Sequence, residues 1–504
     1  MNCIKRIFIT YAGCFFAATA MGQQNPASRY IEVDKNGIVK YIPDSLGNIL
    51  PDFSRVGYNE NKSALPEVKI VKRISPGEND QRNIQSAIDE IATLPLNKEG
   101  FRGTLLLQKG TYKIPGTLKI KASGIVLKGE GDATKLLAVG KGQRSLVSIS
   151  GTGKRTAIEN SRQMITDAYV PLGAKSFHVK NAASFKTGDS IIVFRPGTQQ
   201  WISDLKMDQI ETRDSTSKQW TPKEYDFHFE RVITQIKGNT IFIDNPIVMA
   251  MEEKYGGGEI YKYKFTGRLS NVGVEDLLCE SEFSSDTDED HGWDAIHINR
   301  TQNAWIKNVT AVYFGYSCVN LGSESRNITV IDCKSLDAKS KIIGGRRYSF
   351  NNDGQLNLFI NCFATEGRHD YVTGAQVRGP NVFYNCRAER THGDTGPHHR
   401  WAMGTLYDNI ISDGEINAQD RGNWGTGHGW SGVNQVFWNC TASRVAIQDP
   451  WVSGKNYVIG MTAKPYNGRL EGRKATLWEP GGNGLPASLY LLQLKQINSH
   501  ARIK

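Results

Sequence analysis

The feature that constrains this chain most is a short segment that recurs. Residues 327–333 (NITVIDC), 357–362 (NLFINC), 381–386 (NVFYNC) and 434–440 (NQVFWNC) align directly, and weaker copies lie at 271–277, 305–309, 409–414 and 456–461. Taking the last residue of each copy as an anchor gives positions 277, 309, 333, 362, 386, 414, 440 and 461. Each copy is a β-branched and aromatic run entered through a polar residue and left through a turn, the signature of a strand of about five residues. One such strand cannot bury its apolar side alone. Coils stacked in parallel pair their backbone groups and share one core, and nothing helical lies between the copies. The expected fold is all-β, a right-handed parallel β-helix in which the repeated cysteine is one inward position.

Residues 79–94 carry Ile84, Ala87, Ile88 and Ile91 at helical spacing. This predicts an amphipathic N-terminal helix capping the open end of the core. Strand-like runs follow at 104–108, 117–121 and 125–128. Residues 150–265 break the rhythm with alternating runs at 176–180, 191–194 and 240–244, which predicts a small antiparallel β insertion. The expected organisation is therefore a leader at 1–22, an extension at 23–75, the capping helix and first coils at 76–150, the insertion at 151–265, and the main coils with a C-terminal tail at 266–504.

Lys5 and Arg6 precede an apolar run from Ile7 to Met21 that ends at a small-x-small site, the pattern of a secretory signal peptide. The expected location is secreted or periplasmic; acylation of Cys14, giving an outer-membrane lipoprotein, is the lesser reading. No later stretch reaches the ~18 apolar residues of a membrane span. The net charge of +10 favours an anionic partner, and an exported chain seldom meets nucleic acid. Outside the leader the cysteines are Cys279, Cys318, Cys333, Cys362, Cys386 and Cys440, expected as buried thiols rather than disulfides. A monomer is expected.

The helix NIQSAIDEIATLP, the stretch GTLLLQKGTYKIPGTLKIK and the turn LKGEG resemble the pectate-lyase-like superfamily of parallel β-helices, and within it secreted polysaccharide lyases. That resemblance implies an acidic polysaccharide or oligosaccharide as partner. It matches no single lyase family residue by residue.

Five of the ten histidines fall between Gly344 and Trp430, among arginines and tryptophans on neighbouring turns. Cleaving a uronic-acid polymer by β-elimination requires neutralising the carboxylate, removing the C5 proton and protonating the leaving oxygen. Residues 368–371 (RHDY) and 398–401 (HHRW) supply those residue types. The expected roles are His399 or His398 as base, Tyr371 as acid, and Arg368 and Arg400 on the carboxylate, with His369 beside them. Arg346, Arg347, Asp370, Arg378, His392, Asp394, Trp401, Arg421 and His428 are the expected substrate-binding set. Glycosaminoglycan (chondroitin sulfate or hyaluronan) and pectin are the leading substrates. No cofactor is firmly implied. The acidic run 286–294 could hold Ca²⁺ but lacks a known loop spacing, and no HExxH zinc motif occurs.

Two alternatives stand beside the lyase. A polygalacturonase-type hydrolase, which the GHG at 427–429 resembles, would use two carboxylic acids from Asp370, Asp394 and Asp420. A noncatalytic glycan-binding β-helix would keep the basic groove alone.

Overall fold

The computed structural model describes residues 28–482 and 485–501, so the expected leader at 1–22 and Cys14 lie outside the described residues. From residue 70 to residue 479 the backbone winds into a parallel β-helix in which 28 strands form one continuous sheet. Three parallel ladders make its faces. The first runs through Arg326–Ile331, Leu358–Ile360, Arg378–Tyr384, Ala402–Asp408 and Val436–Trp438. The second runs through Lys334–Leu336, Phe363–Thr365 and Arg387–Glu389. The third runs through Gly292–Asn299, Ser317–Leu321, Phe350–Asn352, Tyr371–Thr373 and Asp394–Pro397.

The residue before each anchor explains the repeat. Asp276, Asn308, Asp332, Asn361, Asn385, Asn409 and Asn439 all have φ between 50° and 57°. The sharp corner between the first and second ladders needs a left-handed residue, which Asn and Asp tolerate best among side-chain-bearing types. Their side chains also join coil to coil, with Asn361 Nδ2 donating to Asp332 Oδ1 at 3.0 Å and Asn385 Nδ2 to Asn361 Oδ1 at 2.7 Å. This corner moves one anchor: Asn409 is the left-handed residue, so the coil's anchor is Ile410 and not Gly414.

Inside, Phe359, Phe383, Tyr407 and Phe437 stack at successive centroid distances of 4.6, 5.4 and 5.0 Å. Cys279, Cys318, Cys333, Cys362, Cys386 and Cys440 are all free and buried in this interior. Helix α1 (Asp80–Thr93) turns Ile84, Ala87, Ile88 and Ile91 into the same core, against Leu105, Tyr112 and Leu118.

Residues 155–265 form the antiparallel insertion with its own core. That core continues into Trp401, Met403, Trp430 and Val433 of the solenoid. A buried ionic knot fixes it: Glu230 accepts from Arg268 at 2.6 and 2.8 Å, from Arg326 at 3.1 Å and from the Tyr263 hydroxyl at 2.7 Å. The outer side of the first ladder is covered as well. Ile31, Leu50, Phe53 and Val56 from the N-terminal strap, with Leu489 and Tyr490 of the C-terminal helix α2 (Leu489–Ala501), pack on Leu358, Val382, Leu406 and Val436. The third ladder keeps its outer side uncovered by either device.

Candidate functional site

At one edge of the third ladder, coil after coil presents an aromatic or imidazole ring. Trp293 stacks on Tyr316 at 6.2 Å, Tyr316 on Tyr348 at 5.1 Å, and Tyr348 meets His369 edge-on at 4.9 Å. His398 closes over this row, 4.4 Å from His369, and His399 and His428 follow at 5.0 and 5.1 Å from His398. Four of the five histidines singled out from sequence thus form one cluster.

A chain of hydrogen bonds links three of these side chains. The Tyr348 hydroxyl lies 3.1 Å from His398 Nε2, and His398 Nδ1 lies 2.9 Å from His399 Nδ1. Among the described residues, Nε2 of His399 has no protein partner, and that ring is partly exposed. Burial and the nearby Arg421 and Arg400 push the imidazoles down: His398 well below its usual range, His399 to about 4, and His428 lower still. All three are neutral at neutral pH. Burial raises the Tyr348 hydroxyl to about 12.

Beneath them His369 Nδ1 reaches the Asp394 backbone oxygen at 2.8 Å and its carboxylate at 3.1 Å. Arg421 Nη1 bonds the same carboxylate at 3.1 Å. Arg421 and His369 hold Asp394 ionised, far below its ordinary range, against a burial penalty in the opposite direction. Arg368 and Arg400, both partly exposed, flank the cluster; Arg368 bonds the Gly344 carbonyl, and Arg400 Nη2 bonds the Thr426 carbonyl and hydroxyl. Neither has a carboxylate partner among the described residues.

Several expected site residues stand elsewhere. Tyr371 is fully buried in the interior, stacked on Phe350, with its hydroxyl donating to the Cys362 and Arg387 carbonyls; it cannot reach a ligand, so the acid role does not stay with it. Trp401 is buried against Trp201 and Trp220 in the insertion's core, not offered to a sugar. Arg347 spends its guanidinium on the carbonyls of Ser340, Glu366 and Asp286. Arg346 pairs with Glu289, and the exposed His392 with Glu366 at 2.7 Å. Arg378 sits near the Glu230 knot. Asp370 is buried and accepts from Ser349, while Asp420 is buried and bound by Arg473 at 2.7 Å. With Asp394 held by Arg421, the three aspartates considered for a hydrolase are each committed internally. The carboxylates of the 286–294 run are engaged too: Asp286 by Lys339, Glu289 by Arg346, Asp288 by Ser284. Among the described residues no three His, Cys, Asp or Glu side chains converge as a metal would require.

The sequence reading missed Tyr348, and of a second group on the same ladder it named only Asp294, the last residue of the acidic run. Asp294 Oδ1 accepts from Asn320 Nδ2 at 3.3 Å, Asn320 Oδ1 from Asn351 Nδ2 at 2.9 Å, and Asp353 Oδ2 from the same Asn351 nitrogen at 3.2 Å.

No family model and no curated protein matches this chain. Solved structures do. The tailspike protein of Pseudomonas phage LKA1 aligns with 13% identity and a TM-score of 0.45 over 76% of this chain and 56% of its own. The tailspike of E. coli bacteriophage HK620, solved with a pentasaccharide, aligns with 9% identity and a TM-score of 0.40 over 81% of this chain and 57% of its own. An alginate lyase from a Paenibacillus species aligns with 9% identity and a TM-score of 0.38 over 82% of this chain and 99% of its own. The chain spans a little over half the length of the first two phage proteins it matches.

Proposed function

We propose that the protein is an exported, monomeric polysaccharide lyase that cleaves a uronic-acid-containing polysaccharide by β-elimination on the uncovered outer side of the third ladder. The observation that carries this reading is the Tyr348–His398–His399 chain, two neutral imidazoles ending on a phenol, flanked by Arg368 and Arg400, which form no ion pair among the described residues.

The chain conserves protons through an elimination. With His399 Nδ1 donating to His398 Nδ1 and His398 Nε2 donating to the Tyr348 oxygen, the Tyr348 proton is free and His399 Nε2 carries a lone pair. Those hydrogen positions are assigned from the network. His399 Nε2 removes the C5 proton, the electron pair forms the C4–C5 double bond, and the C4–O bond breaks. Tyr348 gives its proton to the departing oxygen. The phenolate then recovers a proton from His398 Nε2, which takes one from His399 through the Nδ1 contact, so every atom and proton is accounted for. Arg368 and Arg400 neutralise the uronate carboxylate and make C5 acidic. The neutral state of the histidines suits this role, since a protonated imidazole is no base.

The test is a panel of uronate polysaccharides followed by ultraviolet absorbance of the conjugated double bond. Absorbance rising with chain cleavage supports elimination. Reducing ends without absorbance would establish a hydrolase instead, and binding without cleavage a glycan-binding β-helix.

A further inference from the structure

Where the N-terminal strap crosses the last coils it leaves a cavity of about 810 Å³ that shares no residue with the histidine cluster. Its walls come from three separate stretches of chain: Tyr30 and Leu50 of the strap, Lys455 and Tyr457 of the coil beneath, and Thr476 and Trp478 of the segment that closes the stack. A hollow of about 280 Å³ adjoins it and shares Asp44, Asn48, Lys455 and Tyr457. A volume of this order suits a ligand of one or two sugar rings.

Most polar groups in these walls are already engaged. Asp449 accepts from the Asn456 backbone at 2.9 Å and from the Thr476 hydroxyl at 2.6 Å, and it faces Lys474 at 3.9 Å. Asp44 closes its own turn by accepting from the Leu46 and Asn48 backbones. Arg29 lies 3.5 Å from Glu479. Three groups are left over. The Lys455 ammonium stands 5.3 Å from the Tyr30 ring centroid and 5.2 Å from that of Tyr457, with no carboxylate or hydrogen-bond partner among the described residues. Two ring faces hold it in place and strip part of its water. Tyr457 is only 3% exposed, yet its hydroxyl bonds no described residue and is not sealed off from the cavity. Burial and the carboxylates of Asp44 and Asp449 push that hydroxyl up, so it stays protonated. Tyr30, edge-on to Tyr457 at 5.1 Å, brings a second hydroxyl without a partner among the described residues. A phenol set this deeply takes its hydrogen-bond partner from whatever fills the cavity.

One free cation, two phenols and the partly exposed indole of Trp478 call for a single negative charge, hydroxyl groups and an apolar ring face. A uronic acid has all three. We infer that the cavity is a second carbohydrate site, which binds a uronic-acid unit with its carboxylate on Lys455, its hydroxyls on Tyr457 and Tyr30, and a ring face toward Trp478. No histidine lines it and both of its carboxylates are engaged, so it binds without cleaving. The site stands independently of the lyase reading, since it requires no reaction anywhere in the molecule.

The test is ligand-observed nuclear magnetic resonance on the whole protein at pH 7, with glucuronate and galacturonate as probes and glucose as the uncharged counterpart. All titrations use Arg400→Gln protein, in which the histidine cluster has lost a cation, as well as wild type. At least one uronate is expected to bind on the order of tenfold tighter than glucose in both. Adding Lys455→Gln should weaken that uronate about tenfold and leave glucose unchanged, the scale of one charge-assisted hydrogen bond, and adding Tyr457→Phe should weaken it about threefold. Melting curves establish that each variant is folded, and Tyr30→Phe replaces Tyr457→Phe if the latter is not. Hexagalacturonate separates the two sources of the sugar: Lys455-dependent binding much tighter than that of galacturonate places a polymer chain in the cavity, equal binding a free monosaccharide, and either supports the site. Binding of neither uronate, glucose bound as tightly as both, uronate binding abolished by Arg400→Gln, or uronate binding unmoved by Lys455→Gln or by the tyrosine variant overturns the inference.

Discussion

Replacing Tyr348 with phenylalanine removes one oxygen and leaves the ring, so it isolates the chemistry from the packing. The ring's contacts with Tyr316 at 5.1 Å and His369 at 4.9 Å remain. What disappears is the hydroxyl proposed as donor to the leaving oxygen, together with its 3.1 Å contact with His398 Nε2. Loss of a positioned general acid lowers turnover ~10²–10⁴-fold, equivalent to about 2.7–5.4 kcal/mol of barrier. The structural cost is one hydrogen bond to a largely buried imidazole, about 1 kcal/mol. Tyr371→Phe is the matched control with the opposite signature. Its hydroxyl serves two interior carbonyls at 2.8 and 2.5 Å, so its loss should cost ~1–3 kcal/mol of stability and leave turnover near wild type. Initial rates by absorbance, with denaturant midpoints on the same samples, decide the matter. Wild-type turnover in Tyr348→Phe, or lost turnover with intact stability in Tyr371→Phe, would refute the assignment.

Other expectations follow from the same geometry. His399→Ala should lower turnover ~100-fold or more with an unchanged melting midpoint, since the ring is partly exposed. Because burial lowers His398, His399 and His428 below the ordinary 6.5, the acid limb of kcat/KM should fall below pH 6.5, toward the value of about 4 for His399. The unfolded chain binds more protons at these sites, so their contribution to stability is complete above pH 6.5 and shrinks as pH falls toward about 4, visible as a falling denaturant midpoint. Glu230→Ala should cost ~3–5 kcal/mol, because Arg268 and Arg326 are left buried without their counter-charge. The six interior thiols should resist alkylation in the native protein and react only on unfolding, and reductant should leave the melting midpoint unmoved.

The solenoid was legible because its corner is chemical. A left-handed Asn or Asp followed by a buried apolar residue or cysteine recurs at nearly every turn and survives differences in coil length. The site was less legible because side-chain columns depend on those lengths. Gln376 and Arg400, each fourteen residues past its anchor, and His428, eighteen past the corrected anchor Ile410, follow one another with backbones that bond in succession. A count of fourteen misplaces Arg347 by eight residues, because the coil between anchors 333 and 362 carries a longer turn. Arg347 in fact lies over Arg368, to which its carbonyl accepts a bond at 2.8 Å. Had that turn been discounted, Tyr348 would have fallen over His369, and the tyrosine of the site would have been named from sequence. Tyr371 attracted the role through its neighbours Arg368 and His369, but it begins a strand whose alternation points it inward beside Phe350.

Coils in a stacked array normally feel only their neighbours, so such arrays can fray or unzip one layer at a time. The insertion changes that mechanics. Glu230 grips the coil of Arg326, Arg231 reaches the Gly379 carbonyl at 3.1 Å, and the hydrophobic seam extends to Trp430 and Val433. These three attachments lie on different layers, and the layers of Tyr348, His369 and His398 fall between the first and the last. The insertion thus acts as a splint set along the stack: pulling the chain from either end should release the outer layers first and the imidazole-bearing ones together, in a single larger step.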